Sequence, residues 1–437
     1  MLLAAEQSRL GPVILVDGVR ASHAATYLFA AFLSICLTTF ISTIQPYILT
    51  VQLQLPVELQ GKVSGDMVFY GELVLLALSS VVGAVSDRIG RRSIFVIGVA
   101  ILSIGYVGLA FVDSVATLTA GRIFLALGIV IVNVMVATLQ ADYPAEESRG
   151  KLVGFAGIAI GIGAVLIGVV FMQLPTFYAN QGVSELGAGR YTLFTMSALA
   201  AVLMIVMAIG LKGGRPPHSQ ASETLGSRVR QGFLAGRDNP RILLAYFCAF
   251  VARADLVVVG TFFTLWLTQA GLQSGLNAEQ AASQAGGLFA MVMLCALLWA
   301  PIMGWLNDRI NRVRAMALSL LLAAMGYLSM ALVPDPLGPW MYPAGFILGI
   351  GQMSAVTASQ TLIGQEAPKA HRGSVVGMFS FFGAAGILFI TSVGGRLYDS
   401  IAPSAPFAIV GVINALLCVW ALVLVQRERS ATPATTH

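Results

Sequence analysis

The ten residues GAVSDRIGRR, numbers 83–92, lie at the junction of two apolar runs and combine a basic cluster with one acid and two glycines. The runs, 67–86 and 93–112, are each long enough to cross a bilayer as a helix, which takes about 20 mostly apolar residues. This junction predicts a tight turn between antiparallel membrane helices, made by its glycines. Its basic residues then belong on the cytoplasmic face.

A second copy of the junction occurs later in the chain, as GWLNDRINRV at 304–313. Another pair of related segments follows at nearly the same offset, DYPAEESRGKLVG at 142–154 and EAPKAHRGSVVG at 366–377. Two repeats in the same order at one offset indicate an internal duplication. The sequence therefore predicts two similar halves.

The amino-acid composition indicates that much of the chain faces lipid and not water. Of its 437 residues, 57% are hydrophobic and only 10% are charged, against about a quarter charged in soluble proteins. The predicted fold class is an all-α integral membrane protein with twelve transmembrane helices in two six-helix bundles, because the apolar runs are too long for barrel strands. The runs are 25–48, 67–86, 93–112, 118–140, 152–174, 191–211, 242–267, 286–306, 314–333, 341–363, 374–395 and 404–425.

A basic, Gly-, Pro- and Ser-containing segment separates the sixth run from the seventh. It predicts an N-terminal bundle at 1–211, a cytoplasmic linker at 212–240 and a C-terminal bundle at 241–437. With both termini in the cytoplasm, all but five of the 25 Lys and Arg residues lie on the cytoplasmic side. We therefore expect a multi-pass protein of the cell (inner) membrane, and the net charge of +5 is explained by this topology without nucleic-acid binding.

The junction motif, its degenerate second copy and the six-plus-six layout resemble the major facilitator superfamily, over nearly the whole chain. The resemblance implies two pseudo-symmetric bundles, alternating access and a substrate site near the midplane. It also implies ion pairs, Arg91 with Asp142 and Arg312 with Glu366, that close the cytoplasmic side. The expected cytoplasmic gate residues are Gly83, Asp87, Arg88, Gly90, Arg91, Arg92, Asp142, Asp308, Arg309, Arg312 and Glu366. The alternative is a solvated loop that follows the positive-inside rule.

Four charges inside the runs are not repeated between the halves: Glu72, Arg122, Arg253 and Asp255. A charge at membrane depth is costly, so such residues usually face a cavity or a partner. Glu72 is predicted either to pair with Arg122 or to titrate alone as a proton carrier. Arg253 and Asp255 project to nearly opposite sides of one helix, and we expect Asp255 to face the cavity.

Polar and aromatic residues at helical spacing mark candidate cavity walls. Gln45 lies on the first helix, Asn133 on the fourth and Gln352 on the tenth, while Phe262 and Trp266 share a face with Asp255. These five residues are the predicted substrate-cavity residues. The alternative for the polar stripes is packing between helices, which is common for small polar residues in membranes.

The chain lacks the phosphate-binding, zinc-protease and serine-hydrolase motifs, and its four cysteines are scattered. We therefore predict a non-enzyme without cofactor or metal, a monomer that contacts lipid and a small molecule. The predicted function is secondary active transport, coupled to the proton gradient, with export of amphipathic or drug-like compounds preferred. Uptake of a small organic anion is the alternative, and a non-transporting receptor or scaffold is a third.

Overall fold

The computed structural model describes residues 8–214, 225–368 and 371–431. Within them lie twelve helices long and apolar enough to cross a membrane, which confirms the predicted all-α fold. Part of the predicted linker, 215–224, lies outside the described residues. The spans, numbered 1 to 12, are Ala21–Gln52, Val57–Ile89, Arg91–Leu109, Val115–Asp142, Glu146–Ala179, Glu185–Gly210, Pro240–Gln273, Ala278–Arg309, Arg312–Ala331, Met341–Glu366, Arg372–Ser400 and Ala405–Arg427.

The described chain forms two compact units. The N unit comprises residues 8–55, 70–214 and 277–290, and the C unit comprises 56–69, 225–276, 291–368 and 371–431. Each unit is drawn mostly from one half of the chain, apart from two segments that are exchanged. The beginning of span 2 (56–69) belongs to the C unit, and the beginning of span 8 (277–290) belongs to the N unit.

Small residues set the helix spacing in the N unit, where span 1 packs against span 5 and span 3 against spans 4 and 6. A Cβ placed on Gly163 of span 5 would lie 2.6 Å from the carbonyl oxygen of Phe32 in span 1. A Cβ on Gly128 of span 4 would lie 2.9 Å from the carbonyl oxygen of Gly98 in span 3. Contacts this short require glycine, as expected where helices approach closely in a membrane.

The C unit is built around span 7, which packs against spans 10 and 11, and span 9, which packs against spans 10 and 12. Gly386 of span 11 lies so close to the backbone of Phe250 in span 7 that a side chain has no room there. Phe407 of span 12 forms an aromatic cluster with three other rings, those of Phe263, Trp266 and Tyr327, at centroid distances of 6.2, 5.9 and 6.4 Å.

Span 7 is not a regular α-helix throughout. It is α-helical over Pro240–Val257, forms a π-helix over Val258–Phe263 and continues as an α-helix over Thr264–Gln273. A π-helical turn holds more residues than an α-helical turn, and such segments occur often at functional sites. This one is wholly buried and begins three residues after Asp255. It therefore rotates the side chains that follow it around the helix axis, relative to those that precede it.

A short hairpin precedes span 1, formed by strands β1 (Arg9–Leu10) and β2 (Val13–Ile14). It is bonded to the segment between spans 4 and 5. The amide of Ala145 donates to the Ile14 carbonyl at 2.9 Å, and the amide of Ile14 donates to Ser148 Oγ at 3.1 Å. The hairpin therefore holds the residues that directly follow Asp142. The sequence analysis did not predict this element.

We expect Gly386→Ala to destabilise the protein and Gly377→Ala, on the same span, to be tolerated. The first Cβ meets the backbone of span 7, whereas the second has open space around it. Forcing an extra methyl into a close helix contact costs about 1–3 kcal/mol. The measurement is the thermal unfolding midpoint of each purified variant in detergent. Equal midpoints would contradict the close packing of spans 7 and 11.

Candidate functional site

The junction of spans 2 and 3 is held by Arg91. Its guanidinium contacts the Asp142 carboxylate at 3.1 Å, the Asp87 carboxylate at 2.5 Å and Ser86 Oγ at 2.5 Å. Arg91 thus joins the end of span 2, the start of span 3 and the end of span 4, and the expected Arg91–Asp142 pair is present. Gly90 alone makes the turn, with a φ of 115°, since Gly83 lies within the helix of span 2.

The remaining basic residues of this junction have looser surroundings. Arg88 is exposed, and Arg92 is half-buried with its guanidinium near Gly213 at the end of span 6. Tyr143, next to Asp142, accepts a hydrogen bond from the amide of Lys212 at 3.1 Å through its hydroxyl. Burial raises the pKa of Tyr143 to about 12, so this hydroxyl stays protonated at physiological pH.

The second copy of the junction is built differently. Glu366 pairs with Arg241 at the start of span 7, at 3.0 Å, and also accepts a hydrogen bond from Asn239 at 3.2 Å. The predicted Arg312–Glu366 pair is therefore wrong: within the described residues Arg312 forms no ion pair. The physical reason is that the N-cap residue Asn239 and Arg241 in the first turn of span 7 already donate to this carboxylate.

The other residues of the second copy serve local packing. Asn311, which stands where the first copy has a glycine, caps span 9 by accepting from the amide of Val313 at 3.0 Å. The Arg309 guanidinium lies over the ring of Trp305, 4.4 Å from its centroid, and Asp308 is exposed. The degenerate copy thus keeps its charges without the ion-pair arrangement of the first.

Arg122 of span 4 is buried inside the N unit and contacts span 1. It is 8% exposed and donates to Ser42 Oγ at 3.4 Å, while its second terminal nitrogen has no hydrogen-bond partner among the described residues. The predicted Glu72–Arg122 pair is not formed, because the guanidinium turns toward span 1. Glu72 itself is buried in span 2, at 8% exposure.

Asp255 and Arg253 lie in very different environments within the C unit. Asp255 is fully buried, and neither carboxylate oxygen has a hydrogen-bond partner in the described part of the chain. The hydroxyl of Tyr327, on span 9, is likewise buried without a hydrogen-bond partner among the described residues. Arg253 is exposed, with its side chain against Gly383 of span 11. The two side chains diverge as predicted, but Asp255 is enclosed in this conformation and does not face an open cavity.

The five predicted cavity residues have different surroundings. Asn133 is exposed on span 4. Gln45 and Gln352 are buried, and neither amide group has a hydrogen-bond partner among the described residues. Phe262 is buried against Tyr398 at a centroid distance of 5.9 Å, and Trp266 belongs to the Phe407 cluster. The aromatic pair therefore contributes to the packing of the C unit in this conformation.

Sequence reasoning missed a polar network at the start of span 2, within the C unit. The Asp399 carboxylate accepts from the backbone amides of Gly61 at 2.9 Å and Lys62 at 2.7 Å. Beside it, the Tyr398 hydroxyl donates to the Gln269 amide oxygen at 2.6 Å, and the Gln269 amide nitrogen donates to Gln60 at 3.1 Å. These bonds attach residues 56–69 to spans 7 and 11. The signal that could have found them is Asp399, an acid near a span end.

The beginning of span 8 is attached to span 5 in the same manner, within the N unit. Gln173 donates through its amide nitrogen to the carbonyl of Ser283 at 3.1 Å, and the Thr176 hydroxyl donates to the carbonyl of Glu279 at 2.9 Å. Gly168 and Gly286 meet backbone to backbone just beyond these bonds. Both exchanged segments are thus held by hydrogen bonds as well as by packing.

The pairing of Glu366 can be tested by charge exchange. We expect Glu366→Lys to lower the unfolding midpoint, because it places like charge against Arg241; a partly exposed pair contributes on the order of 1 kcal/mol or less. Adding Arg241→Glu to that variant should restore the midpoint. Adding Arg312→Glu should not. If Arg312→Glu restored the midpoint of the Glu366→Lys variant and Arg241→Glu did not, Glu366 would be shown to pair with Arg312.

Comparison with known proteins agrees with this architecture. The model of the Major Facilitator Superfamily matches residues 27–391 and 255–437. The magnetosome protein MamH of Paramagnetospirillum magneticum is 27% identical over 420 residues, covering 93% of each chain. The magnetosome protein MamZ of the same organism is 26% identical over 390 residues, which are 87% of this chain and 59% of MamZ.

Among solved structures, the D-xylose–proton symporter has the same fold. It superposes with a TM-score of 0.69 at 16% identity, over 92% of this chain and 96% of the symporter. With the matched family model spanning nearly every described residue, the chain belongs to the Major Facilitator Superfamily of membrane transporters.

Proposed function

We propose that this protein is a proton-coupled secondary transporter in which Asp255 carries the proton. The observation that carries the proposal is the complete burial of Asp255 without a hydrogen-bond donor to either carboxylate oxygen. An ionised carboxylate in such surroundings is costly, so burial favours the neutral acid. Opening of its surroundings to water would favour release of the proton.

The contrast with other acids supports this choice. Asp142 and Glu366 each pair with an arginine, and the Asp399 carboxylate accepts hydrogen bonds from two backbone amides. Asp255 has no such partner in the described chain and has no counterpart in the first half of the sequence. The neighbouring π-helical segment places it beside a turn of span 7 with irregular geometry. A rearrangement of span 7 would therefore change the environment of Asp255 first.

We further propose that transport follows alternating access and that the two exchanged segments rearrange with each cycle. Their hydrogen bonds, such as those of Asp399 with Gly61 and Lys62, are formed at helix ends where local separation disrupts few other contacts. The substrate we propose is a small organic molecule, with export of an amphipathic compound as the preferred direction, across a cell membrane with both termini in the cytoplasm. The few charges in the described spans are in keeping with such a cargo.

The charge of the substrate can be tested with a substitution at Arg253. Its guanidinium is exposed near the middle of span 7 and makes no ion pair with a described residue. If the substrate were an organic anion, this group would be a suitable contact for it. Arg253→Gln would then raise the concentration needed for half-maximal transport of the anion, whereas transport of a neutral or cationic compound would be little changed.

Asp255→Asn should abolish transport driven by a pH gradient and leave substrate exchange across the membrane intact. The amide resembles the protonated acid in shape but cannot release a proton. The measurement uses protein reconstituted in liposomes, with a compound first selected by thermal stabilisation at two pH values. Glu147→Gln is the control, since Glu147 is exposed. Gradient-driven transport at the wild-type rate by Asp255→Asn would rule out the coupling role.

Asp399→Ala should loosen the start of span 2. Each hydrogen bond to a charged group contributes about 1.5–3 kcal/mol, so we expect amide exchange in the peptide around Gly61 and Lys62 to become at least about tenfold faster. Hydrogen–deuterium exchange with mass spectrometry measures this. The control is Asp335→Ala, because Asp335 bonds only to its own loop among the described residues. Unchanged exchange near Gly61 would mean that the carboxylate does not hold this segment.

A further inference from the structure

The segment before span 7 forms a short helix over Leu225–Asp238, which we call the linker helix. Its sequence, LGSRVRQGFLAGRD, places glycines, apolar residues and arginines at helical spacing. Only one residue, Asn239, separates it from span 7, so its position is fixed by that span. None of the proposed transport steps uses this helix.

The linker helix is anchored on one side by its glycines. Gly232 lies against span 11, where a Cβ would come 2.7 Å from the Ser374 carbonyl oxygen. Gly236 lies against span 7, where a Cβ would come 2.7 Å from the ring of Tyr246. The Tyr246 hydroxyl also donates to the carbonyl of Gly232 at 2.9 Å. One turn apart, these contacts reach two different spans, so the linker helix crosses the ends of both.

The contacts of the linker helix lie near the beginnings of the two spans that it touches. Span 7 begins at Pro240 and span 11 at Arg372, and both begin on the same side of the membrane, because the chain crosses it four times between these two points. Tyr246 is six residues into span 7, which corresponds to about 9 Å along a helix. The headgroup region extends about 5–7 Å beyond the hydrocarbon core on each side, so it ends within the first turns of such a span. A helix that crosses the span ends at this depth is therefore expected to lie among the lipid headgroups.

A second face of the linker helix is exposed and combines apolar with cationic side chains. Val229 is 52% and Phe233 62% exposed, and Arg230 and Arg237 are exposed beside them. In an α-helix these four positions fall within an arc of about 100°. Neither arginine pairs with an acid in the described part of the chain. Asp238, the acid of this helix with a described side chain, projects away from that arc.

We propose that this face binds anionic phospholipid headgroups of the adjoining leaflet. Phe233 and Val229 enter the boundary between headgroups and acyl chains, and Arg230 and Arg237 contact lipid phosphates. An amphipathic helix with aromatic and arginine residues on its exposed side has the composition of an interfacial helix. Juxtamembrane arginines add attraction to anionic lipid. Because the same helix contacts spans 7 and 11, lipid bound there stabilises the starts of both spans.

The test compares lipid stabilisation of the full-length protein in detergent. We expect phosphatidylglycerol to raise the unfolding midpoint at concentrations at least fivefold lower than phosphatidylcholine. Arg230→Gln with Arg237→Gln should remove that preference. The matched control, Arg314→Gln with Arg427→Gln, removes two exposed arginines elsewhere and should keep it. Equal effects of the two lipids, or equal loss in both double variants, would overturn the proposal.

Two further measurements separate the lipid surface from other occupants. Glycerol phosphate and inorganic phosphate should not reproduce the stabilisation; if either does so fully, the face binds a free anion. Phe233→Trp should add fluorescence that brominated acyl chains quench in nanodiscs, relative to wild type. Absence of quenching would show that the apolar part of the face does not touch lipid and would overturn its assignment as an interfacial surface.

Discussion

The constraint on which this structure depends is that hydrocarbon satisfies no polar group. Every backbone amide of a span must therefore bond within its helix, which leaves packing between helices to small residues such as Gly163 and Gly386. The same constraint sorts the charges. Those near span ends pair or reach water, as Arg91 does with Asp142, and those at membrane depth must be covered or hydrated. The helical fold and the placement of the charged residues both follow from the cost of an unsatisfied polar group in hydrocarbon.

The sequence was sufficient to predict the number of spans, because apolar length is a local signal, whereas the Arg91–Asp142 pair was expected from the family resemblance of the junction motif. The predicted Arg312–Glu366 pair in the second half was wrong. Repeat reasoning assumes that Glu366 keeps the partner its counterpart has, whereas Arg241 on a neighbouring span end is available to it. A duplicated backbone preserves the places of charges, but the nearest donor decides the pairing.

The features that sequence reasoning missed join residues that are far apart in the chain. The hairpin strand at Ile14 bonds to Ala145 and Ser148, and Asp399 bonds to Gly61 and Lys62. Hydropathy and spacing within a window carry no information on such partners. The exchanged segments 56–69 and 277–290 were not predicted for the same reason. The sequence of a continuous helix gives no sign that its two ends belong to different units.

Arg253 and Asp255 show how far a helix alone can separate two neighbouring charges. Two positions apart, they project about 200° from each other, so one side chain enters the interior of the C unit while the other remains exposed. Direct pairing, which would neutralise both, is thereby prevented. Under the proposed function, Asp255 responds to protons and Arg253 to a substrate that reaches the exposed side of span 7. Because the π-helical segment follows immediately, a change in its winding would turn the following part of span 7 relative to both charges. The proposed coupling between proton and substrate then requires no direct contact between the two sites, only a helix that both of them share.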